Sequence, residues 1–168
     1  EISPNYVEIY CNRGGVYGIK GQYGLAFADF SQAIKLNPLY AKAYNNRGII
    51  YETTGQYDKA ISDYDHAIKI TPNDAQGYNN RGIAYFKKGD YDNAFSNYNQ
   101  AIKISPNDAE GYNNRGVVYV KKGDYDKAFT DYNRAIKINP LYADVYYNMG
   151  HAKRDIGKFV QAFVDYNQ

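Results

Sequence analysis

The sequence repeats every 34 residues, and this period constrains the fold more than any other feature of the chain. The segment Ala41–Gly48 returns in closely similar form as Ala75–Gly82 and Ala109–Gly116, and looser copies begin at Val7 and Ala143. A period of this length is typical of arrays in which each repeat is one supersecondary unit packed against its neighbours. The chain therefore divides into units 7–40, 41–74, 75–108, 109–142 and a partial unit, 143–168.

Each unit carries stop signals for two helices. The first helical stretch ends at a glycine, which readily takes the left-handed conformation at a helix C-terminus: Gly21, Gly55, Gly89, Gly123 and Gly157. A proline, which cannot continue a helix, follows the second stretch: Pro38, Pro72, Pro106 and Pro140. The pattern predicts an all-α fold with a partial last helix and with helices near 7–20, 25–37, 41–54, 58–71, 75–88, 92–105, 109–122, 126–139 and 143–156.

The chain has 21 tyrosines and no tryptophan, and most of the tyrosines fall into four columns of the repeat. Tyr44, Gly48 and Tyr51 are spaced i, i+4 and i+7, and therefore lie on one face of a helix. Gly48 and Ala60 are small where two helices of a hairpin would approach closely. We interpret the columns as a buried core, since a platform for stacking bases needs exposed rings beside a basic groove.

The repeat resembles the tetratricopeptide repeat (TPR) family. In the second unit the resemblance is carried by Tyr44, Gly48, Tyr51, Ala60, Tyr64, Ala67 and Pro72, and it extends over essentially the whole chain. It implies a right-handed superhelical solenoid of antiparallel helix hairpins that acts as a protein–protein interaction scaffold.

The chain departs from the family pattern directly before the repeat glycine. Four units have arginine where the family usually has leucine: Arg13, Arg47, Arg81 and Arg115. The fifth unit has Met149 there, and it has Lys153 in place of a column tyrosine. We interpret the arginines as structural; a pairing with second-helix aspartates is one alternative, at Asp29, Asp63, Asp131 or Asp165.

Neither end of the sequence resembles the polar cap of a repeat array. Pro4 precedes Pro38 by one period, so we interpret residues 1–6 as the tail of a preceding repeat. We interpret residues 1–168 as a single array and as a fragment of a longer protein. The last unit is expected to leave an apolar flank uncovered, formed by Phe159, Ala162, Phe163 and Tyr166.

A second face of each first helix lies opposite the tyrosine stripe. At about 100° per residue, Asn46 points about 200° away from Tyr44. Asparagine fills this column in all five units: Asn12, Asn46, Asn80, Asn114 and Asn148. We predict that this column lines a concave groove, together with neighbouring asparagines and apolar residues: Asn45, Asn79, Asn113, Ile49, Ile83, Phe86, Val117 and Val120.

Asparagine inside a helix is less favourable than alanine by about half a kcal/mol, so a full column of it needs an explanation. An amide both donates and accepts hydrogen bonds, so a row of amides can bind the backbone of any extended peptide. The row is similar to the asparagine ladder in the TPR array of O-GlcNAc transferase, which implies a peptide groove. Two other interpretations of the asparagine column stay open. An AT-rich genome would enrich asparagine without a functional reason, or the amides bond only to one another.

Other functional classes find little support in the sequence. The carboxylate clamp of the TPR proteins that bind chaperone tails is matched only at Lys42, because its other lysine and arginine positions hold Cys11, Asn45, Asn79 and Asn114. The glycine-rich run 14–21 lacks the strand and the Gly-Lys-Ser/Thr ending of a phosphate loop. His66 and His151 lie in different units, and Cys11 is the only cysteine. We therefore predict no enzymatic activity, no cofactor and no metal.

The net charge of +2, with both signs interleaved, gives no case for nucleic acid or membrane as a partner. We find neither a signal peptide nor a membrane span, and we expect a water-soluble chain of unassigned compartment. The leading hypothesis is a scaffold that binds an extended peptide or partner protein in its concave groove. The alternatives are an array that stacks end to end with itself and the targeting domain of a larger enzyme.

Overall fold

The computed structural model describes residues 4–167, which form ten α-helices joined by short turns. The helices are α1 (Pro4–Ile19), α2 (Tyr23–Leu36), α3 (Ala41–Thr53), α4 (Tyr57–Ile70), α5 (Ala75–Lys88), α6 (Tyr91–Ile104), α7 (Ala109–Lys121), α8 (Tyr125–Ile138), α9 (Ala143–Asp155) and α10 (Phe159–Tyr166). No strand occurs within residues 4–167. The predicted all-α fold of five hairpins is confirmed, and the predicted bounds of α2 to α9 differ from the observed bounds by at most two residues.

Helix α1 begins at Pro4, three residues before the predicted start. Proline suits the first position of a helix, because its φ is already helical and its missing N–H would have no partner there. Residues 4–6 therefore continue α1, whereas residues 1–3 lie outside the described part of the chain. The interpretation of residues 1–6 as the tail of a preceding repeat stays a prediction.

The turn within each hairpin depends on one left-handed residue. The glycines predicted to end the first helices all have positive φ, between 71° and 88°: Gly21, Gly55, Gly89, Gly123 and Gly157. After Gly89, the carboxylate of Asp90 accepts the N–H of Asn93 and caps α6; Asp124 caps α8 in the same way. In the third and fourth units, a glycine thus ends one helix and the aspartate after it begins the next.

An aromatic ring of the second helix packs directly onto the repeat glycine of the first. A Cβ atom at Gly82 would lie 2.6 Å from a ring carbon of Tyr98, and one at Gly48 would lie 2.6 Å from Tyr64. Tyr64 and Tyr98 are almost completely buried, and burial raises the pKa of both phenols, so they stay neutral. The glycine column therefore sets how closely the two helices of a hairpin approach.

Tyr51 and Tyr85 were expected to be largely buried, but both are half-buried. Tyr51 lies between neighbouring hairpins, where it makes an edge contact with Phe27 of the preceding unit. The ammonium group of Lys59 lies 5.5 Å from its ring centroid. The ring thus bridges two units at the surface instead of filling the interior of one hairpin.

In the second, third and fourth units, the arginine before the repeat glycine ties three helices together. Arg47 Nε and Nη2 each donate to a different carboxylate oxygen of Asp63 on α4, at 2.7 Å. Its Nη1 donates to Ser31 Oγ on α2 of the preceding hairpin, at 3.2 Å. Arg115 repeats the arrangement with Asp131 and Asn99. We call this set of contacts the arginine bridge. It confirms a structural role, with the aspartate pairing as its basis.

The third unit varies the arginine bridge, and the fifth unit keeps only an ion pair within its own hairpin. In the third unit the aspartate is replaced by Asn97, which accepts from Arg81 Nε at 2.8 Å. In the fifth unit the arginine is replaced by Met149, and Lys153 Nζ lies 2.7 Å from a carboxylate oxygen of Asp165. The lysine that interrupts the tyrosine column thus supplies the cation that the arginine column has lost.

The second helix of the last unit carries an exposed apolar face. Phe159 and Phe163 are both more than two-thirds exposed, as expected. Ala162, which we expected to be uncovered, is buried, because α10 packs on α9. The side chain of Tyr166 lies outside the described part of the chain.

We expect Gly82→Ala to destabilise the array by about 1–3 kcal/mol, since the added methyl group overlaps the buried ring of Tyr98. Gly15→Ala is the control: it lies within α1, and a Cβ atom there meets nothing within 4 Å. That variant should be stabilised by about 0.5–1 kcal/mol through helix propensity alone. Urea unfolding followed by circular dichroism measures the free energy of unfolding of both variants. Equal changes in the two would contradict the described packing of Tyr98 on Gly82.

We expect Asp131→Ala to lower the free energy of unfolding by about 1.5–3 kcal/mol, because it leaves the Arg115 guanidinium without its two charge-assisted hydrogen bonds. Asp131→Asn should lose less stability, because the pair of Arg81 and Asn97 shows that an amide oxygen also accepts from the arginine at this position. Urea unfolding of both variants checks this order. The arginine bridge would be dispensable if Asp131→Ala unfolded with the parent.

Candidate functional site

The first helices of the hairpins form the inner side of the array. Each of α1, α3, α5 and α7 has Cα atoms within 8 Å of the next first helix, whereas within residues 4–167 successive second helices have none that close. A stack whose first helices lie closer together than its second helices curves around the first helices. The array therefore curves around its first helices, and the asparagine column stays the predicted lining of the concave side.

Two clefts open on this side, and both involve predicted groove residues. The first, here called the amide cleft, has a volume of about 490 Å³ between α3 and α5. Its walls are Ala41, Lys42, Asn45, Asn46, Ile49, Thr71, Asp74, Gln76 and Asn80. Three asparagines and one isoleucine of the predicted groove thus surround one space.

The second cleft, here called the apolar cleft, has a volume of about 370 Å³ beside α1 and α3. Its walls are Gly15, Gly18, Ile19, Tyr23, Phe30, Asn46, Ile49, Ile50 and Thr53. Asn46 and Ile49 belong to the walls of both clefts, so the two spaces adjoin at these residues.

The asparagines of the predicted column differ in accessibility. Asn12 is exposed, and Asn46, Asn114 and Asn148 are half-buried. We expected Asn46, Asn80 and Asn114 to be exposed, so this expectation was wrong for all three, most of all for Asn80, which is only 8 % exposed. The reason is local, because Gln76 lies one helical turn earlier and donates from Nε2 to Asn80 Oδ1 at 2.9 Å.

Several amides bind neighbouring side chains. Asn46 Nδ2 lies 3.4 Å from the sulfur of Cys11, a weak acceptor. Asn148 Nδ2 donates to Asn113 Oδ1 at 3.0 Å across two units. The interpretation that amides bond to one another thus holds for part of the ladder.

The neighbouring asparagines serve contacts between units. Asn79 is completely buried and Asn113 is 5 % exposed. Gly111 of the next first helix packs beside Ile102 and Asn79, since a Cβ atom there would lie 3.0 Å from Ile102 Cγ1 and 3.7 Å from Asn79 Oδ1. Asn79 and Asn113 therefore lie inside the contact between units, whereas Asn45 also reaches the amide cleft.

The apolar residues of the predicted groove differ in solvent exposure along the array. Ile49 is 42 % exposed, whereas Ile83, Phe86, Val117 and Val120 are half-buried and pack against core residues. Phe86, for example, contacts the ring of Tyr91. The first unit has glycines in the two columns that these residues occupy, which is why the apolar cleft opens there.

The sequence interpretation missed several cleft residues. Gly15 and Gly18 were considered only as part of a false phosphate loop, and Tyr23 only as part of a core column. The available signal was a glycine in columns that elsewhere hold isoleucine, valine or phenylalanine.

Comparison with known families decides the identity of the fold. Models described as TPR repeat or tetratricopeptide repeat match residues 7–38, 30–62, 53–89, 82–123 and 118–157. The chain belongs to the tetratricopeptide repeat family. TPR proteins are protein–protein interaction scaffolds and are generally not enzymes. No curated protein matches the sequence.

Solved TPR structures share the architecture of this array. TTC0263, a thermophilic TPR protein of Thermus thermophilus, is 22 % identical with a TM-score of 0.84, covering 96 % of this chain and 88 % of its own. The Cut9–Hcn1 hetero-tetramer matches at 21 % identity and a TM-score of 0.90, over 99 % of this chain and 33 % of its own. YrrB, described as a TPR protein with an unusual peptide-binding site, is 20 % identical with a TM-score of 0.69. The match covers 93 % of this chain and 80 % of YrrB. At these identities the likeness shows the fold alone.

Within residues 4–167, no helix has the length and apolar character needed to cross a bilayer. The same part of the chain contains no group of three or more His, Cys, Asp or Glu side chains placed to hold a metal ion.

The side chain of Glu110 is held where its ionised form is unfavourable. Glu110 occupies in α7 the place that Gln76 occupies in α5. Burial raises the pKa of Glu110 and the nearby Asp108 raises it further, while Asn114 partly opposes the shift. Because the folded state disfavours the charged form, ionisation of Glu110 reduces the stability of the TPR array.

We expect Glu110→Gln to melt at a higher temperature than the parent near pH 7. The loss caused by ionisation is fully present above the folded-state pKa and disappears as the pH falls below the unfolded value of about 4.3. The difference between the two proteins should therefore shrink toward pH 4 in thermal melts followed by circular dichroism. The reverse change, Gln76→Glu, serves as the control and should destabilise near pH 7. A difference that does not vary with pH would exclude this origin.

Proposed function

We propose that this TPR array binds an extended segment of a partner protein along the concave side of its first helices. The observation that supports this function is the adjoining pair of clefts, which share Asn46 and Ile49. One cleft offers amides and the other offers apolar walls. An extended chain presents these two kinds of group, since its backbone is polar and its side chains include apolar ones.

The amides available to a ligand are fewer than the five-membered ladder. Asn12 is exposed, and Asn46 donates one amide hydrogen to a thiol, which is a poor acceptor. Asn80 uses its oxygen to accept from Gln76, which leaves its amino group to donate. We therefore assign backbone binding to Asn12, Asn46 and Asn80, at the end of the array where the clefts are open.

The structural neighbours support a binding role without naming a partner. The description of YrrB assigns that protein a peptide-binding site, and Cut9–Hcn1 is described as a hetero-tetramer. In this chain, the amide cleft is the place with the shape and the hydrogen-bonding groups for such a ligand.

The test begins with a random peptide library displayed on phage and selected on the parent chain. Selected peptides are then measured by fluorescence anisotropy against Asn46→Ala/Asn80→Ala. Each lost hydrogen bond to a bound chain contributes about 0.5–1.5 kcal/mol, so the double variant should bind about fivefold to a hundredfold more weakly. The loss should be similar for peptides of different sequence, because backbone groups are common to all of them.

Asn133→Ala is the matched control, since this asparagine is exposed on α8 and belongs to neither cleft. It should bind all selected peptides like the parent. Circular dichroism should show that the double variant keeps its helices. Equal binding by parent and double variant would contradict the proposed use of these amides.

Self-association is a second candidate, supported by the apolar face of α10. Phe159, Val160, Phe163 and Val164 are all more than half exposed, and contiguous apolar surface of this kind often marks an interaction site. Sedimentation velocity over a wide concentration range distinguishes the two candidates. A monomer at all concentrations would exclude self-association, and Phe163→Glu should abolish any dimer that forms.

A further inference from the structure

We infer that the apolar cleft is a specificity pocket for one bulky apolar side chain of the bound segment, and that an acidic residue of that segment lies beside Lys42. This inference rests on the proposed function and adds to it a ligand class. Peptides without the apolar residue would meet the amides but leave the pocket empty. Selectivity would then depend on the first two units rather than on the whole ladder.

The pocket results from two glycines at positions where the other units carry side chains. The column of Gly15 holds Ile49, Ile83, Val117 and His151 in the other units. The column of Gly18 holds Glu52, Phe86, Val120 and Arg154. The volume of about 370 Å³ therefore occurs where the repeat pattern is interrupted by small residues on the concave side.

The walls of the pocket suit an aliphatic or aromatic side chain. Ile49, Ile50 and Phe30 contribute apolar atoms, and the hydroxyl of Thr53 and the amide of Asn46 lie at its border. Ligand pockets typically have this composition, with mostly apolar walls and few polar groups that fix orientation. At protein interfaces, most of the binding energy comes from the few side chains that fill such pockets.

The apolar cleft continues the surface proposed to bind backbone. A chain whose peptide groups pair with Asn46 and Asn80 runs through the amide cleft, and Asn46 and Ile49 also border the apolar cleft. A side chain next to the peptide group held by Asn46 therefore lies at the mouth of the apolar cleft. The occupant is accordingly a residue of the same bound segment.

The positive charge of Lys42 is the basis for the acidic residue of the ligand. Lys42 borders the amide cleft, is exposed, and forms no ion pair within residues 4–167. Asp74 also borders the amide cleft, but it forms no ion pair with Lys42, and its charge lies at the N-terminus of α5, where Oδ1 accepts the N–H of Gln76. The cation is thus available to a ligand, and it favours an aspartate or glutamate that follows or precedes the apolar residue.

The test uses peptides selected from the random library on the parent chain and remeasured against Gly15→Ile. This variant gives the first unit the residue that the second unit has at position 49, and a Cβ atom at Gly15 meets nothing within 4 Å. The fold should therefore persist while the pocket is filled. We expect the peptides to share a bulky apolar residue and to bind Gly15→Ile at least about tenfold more weakly, since burying such a side chain is worth that much.

Two controls make the experiment specific. Gly24→Ile adds the same side chain at an exposed helical glycine of α2 that also has no neighbour within 4 Å, and it should bind like the parent. Lys42→Gln, which copies the residue at position 76, should weaken peptides with an acidic residue and leave neutral peptides unchanged. Selective labelling of isoleucine methyl groups should show the NMR signals of Ile19, Ile49 and Ile50 shifting when a selected peptide binds.

Each outcome distinguishes the pocket from the proposed function. Peptides that bind Gly15→Ile as tightly as the parent, yet need Asn46 and Asn80, would overturn the pocket and leave the function standing. A library that yields no binder would overturn both. A dimer of the parent that Gly15→Ile converts to a monomer in sedimentation would overturn the peptide as occupant and assign the pocket to a second copy of the chain.

Discussion

The contact between a glycine and an aromatic ring is the constraint on which each hairpin depends. With no Cβ at Gly48, the ring of Tyr64 packs against the backbone of α3, and the two helices approach more closely than side chains would permit. Gly82 and Gly116 repeat the contact with Tyr98 and Tyr132. This spacing fixes how α3 and α4 are oriented, and with it which face of α3 is left for the concave side.

The arginine bridge connects hairpins that this contact alone would leave independent. In repeat arrays, stability is approximately the sum of the repeats and the interfaces between neighbours. Arg47 contributes to both, because it binds Asp63 in its own hairpin and Ser31 in the preceding one. The fifth unit keeps the ion pair through Lys153 and Asp165, although its arginine position holds Met149. A charge at this place thus persists when the residue that supplies it changes.

The fold could be predicted almost completely from the sequence, but the accessibility of the candidate site could not. Helix bounds follow from local signals such as Gly89 and Pro72, which act within a few residues of chain. The burial of Asn80 depends instead on a neighbour one turn away, Gln76, whose position in the other units holds Glu8, Lys42, Glu110 and Asp144. A column of identical residues therefore does not form a uniform surface, because each asparagine has a different neighbour.

Residues that follow the repeat and residues that depart from it have different roles in this array. Repeated residues such as Gly48, Tyr64 and Arg47 are occupied in holding helices together, so they offer little to a partner. Residues that differ between units, such as Gly15 and Lys42, border the two clefts together with the repeated Asn46. Substituting them changes few contacts on which the fold depends. Selectivity for a ligand can therefore reside in the first two units while the later units keep the concave surface in place.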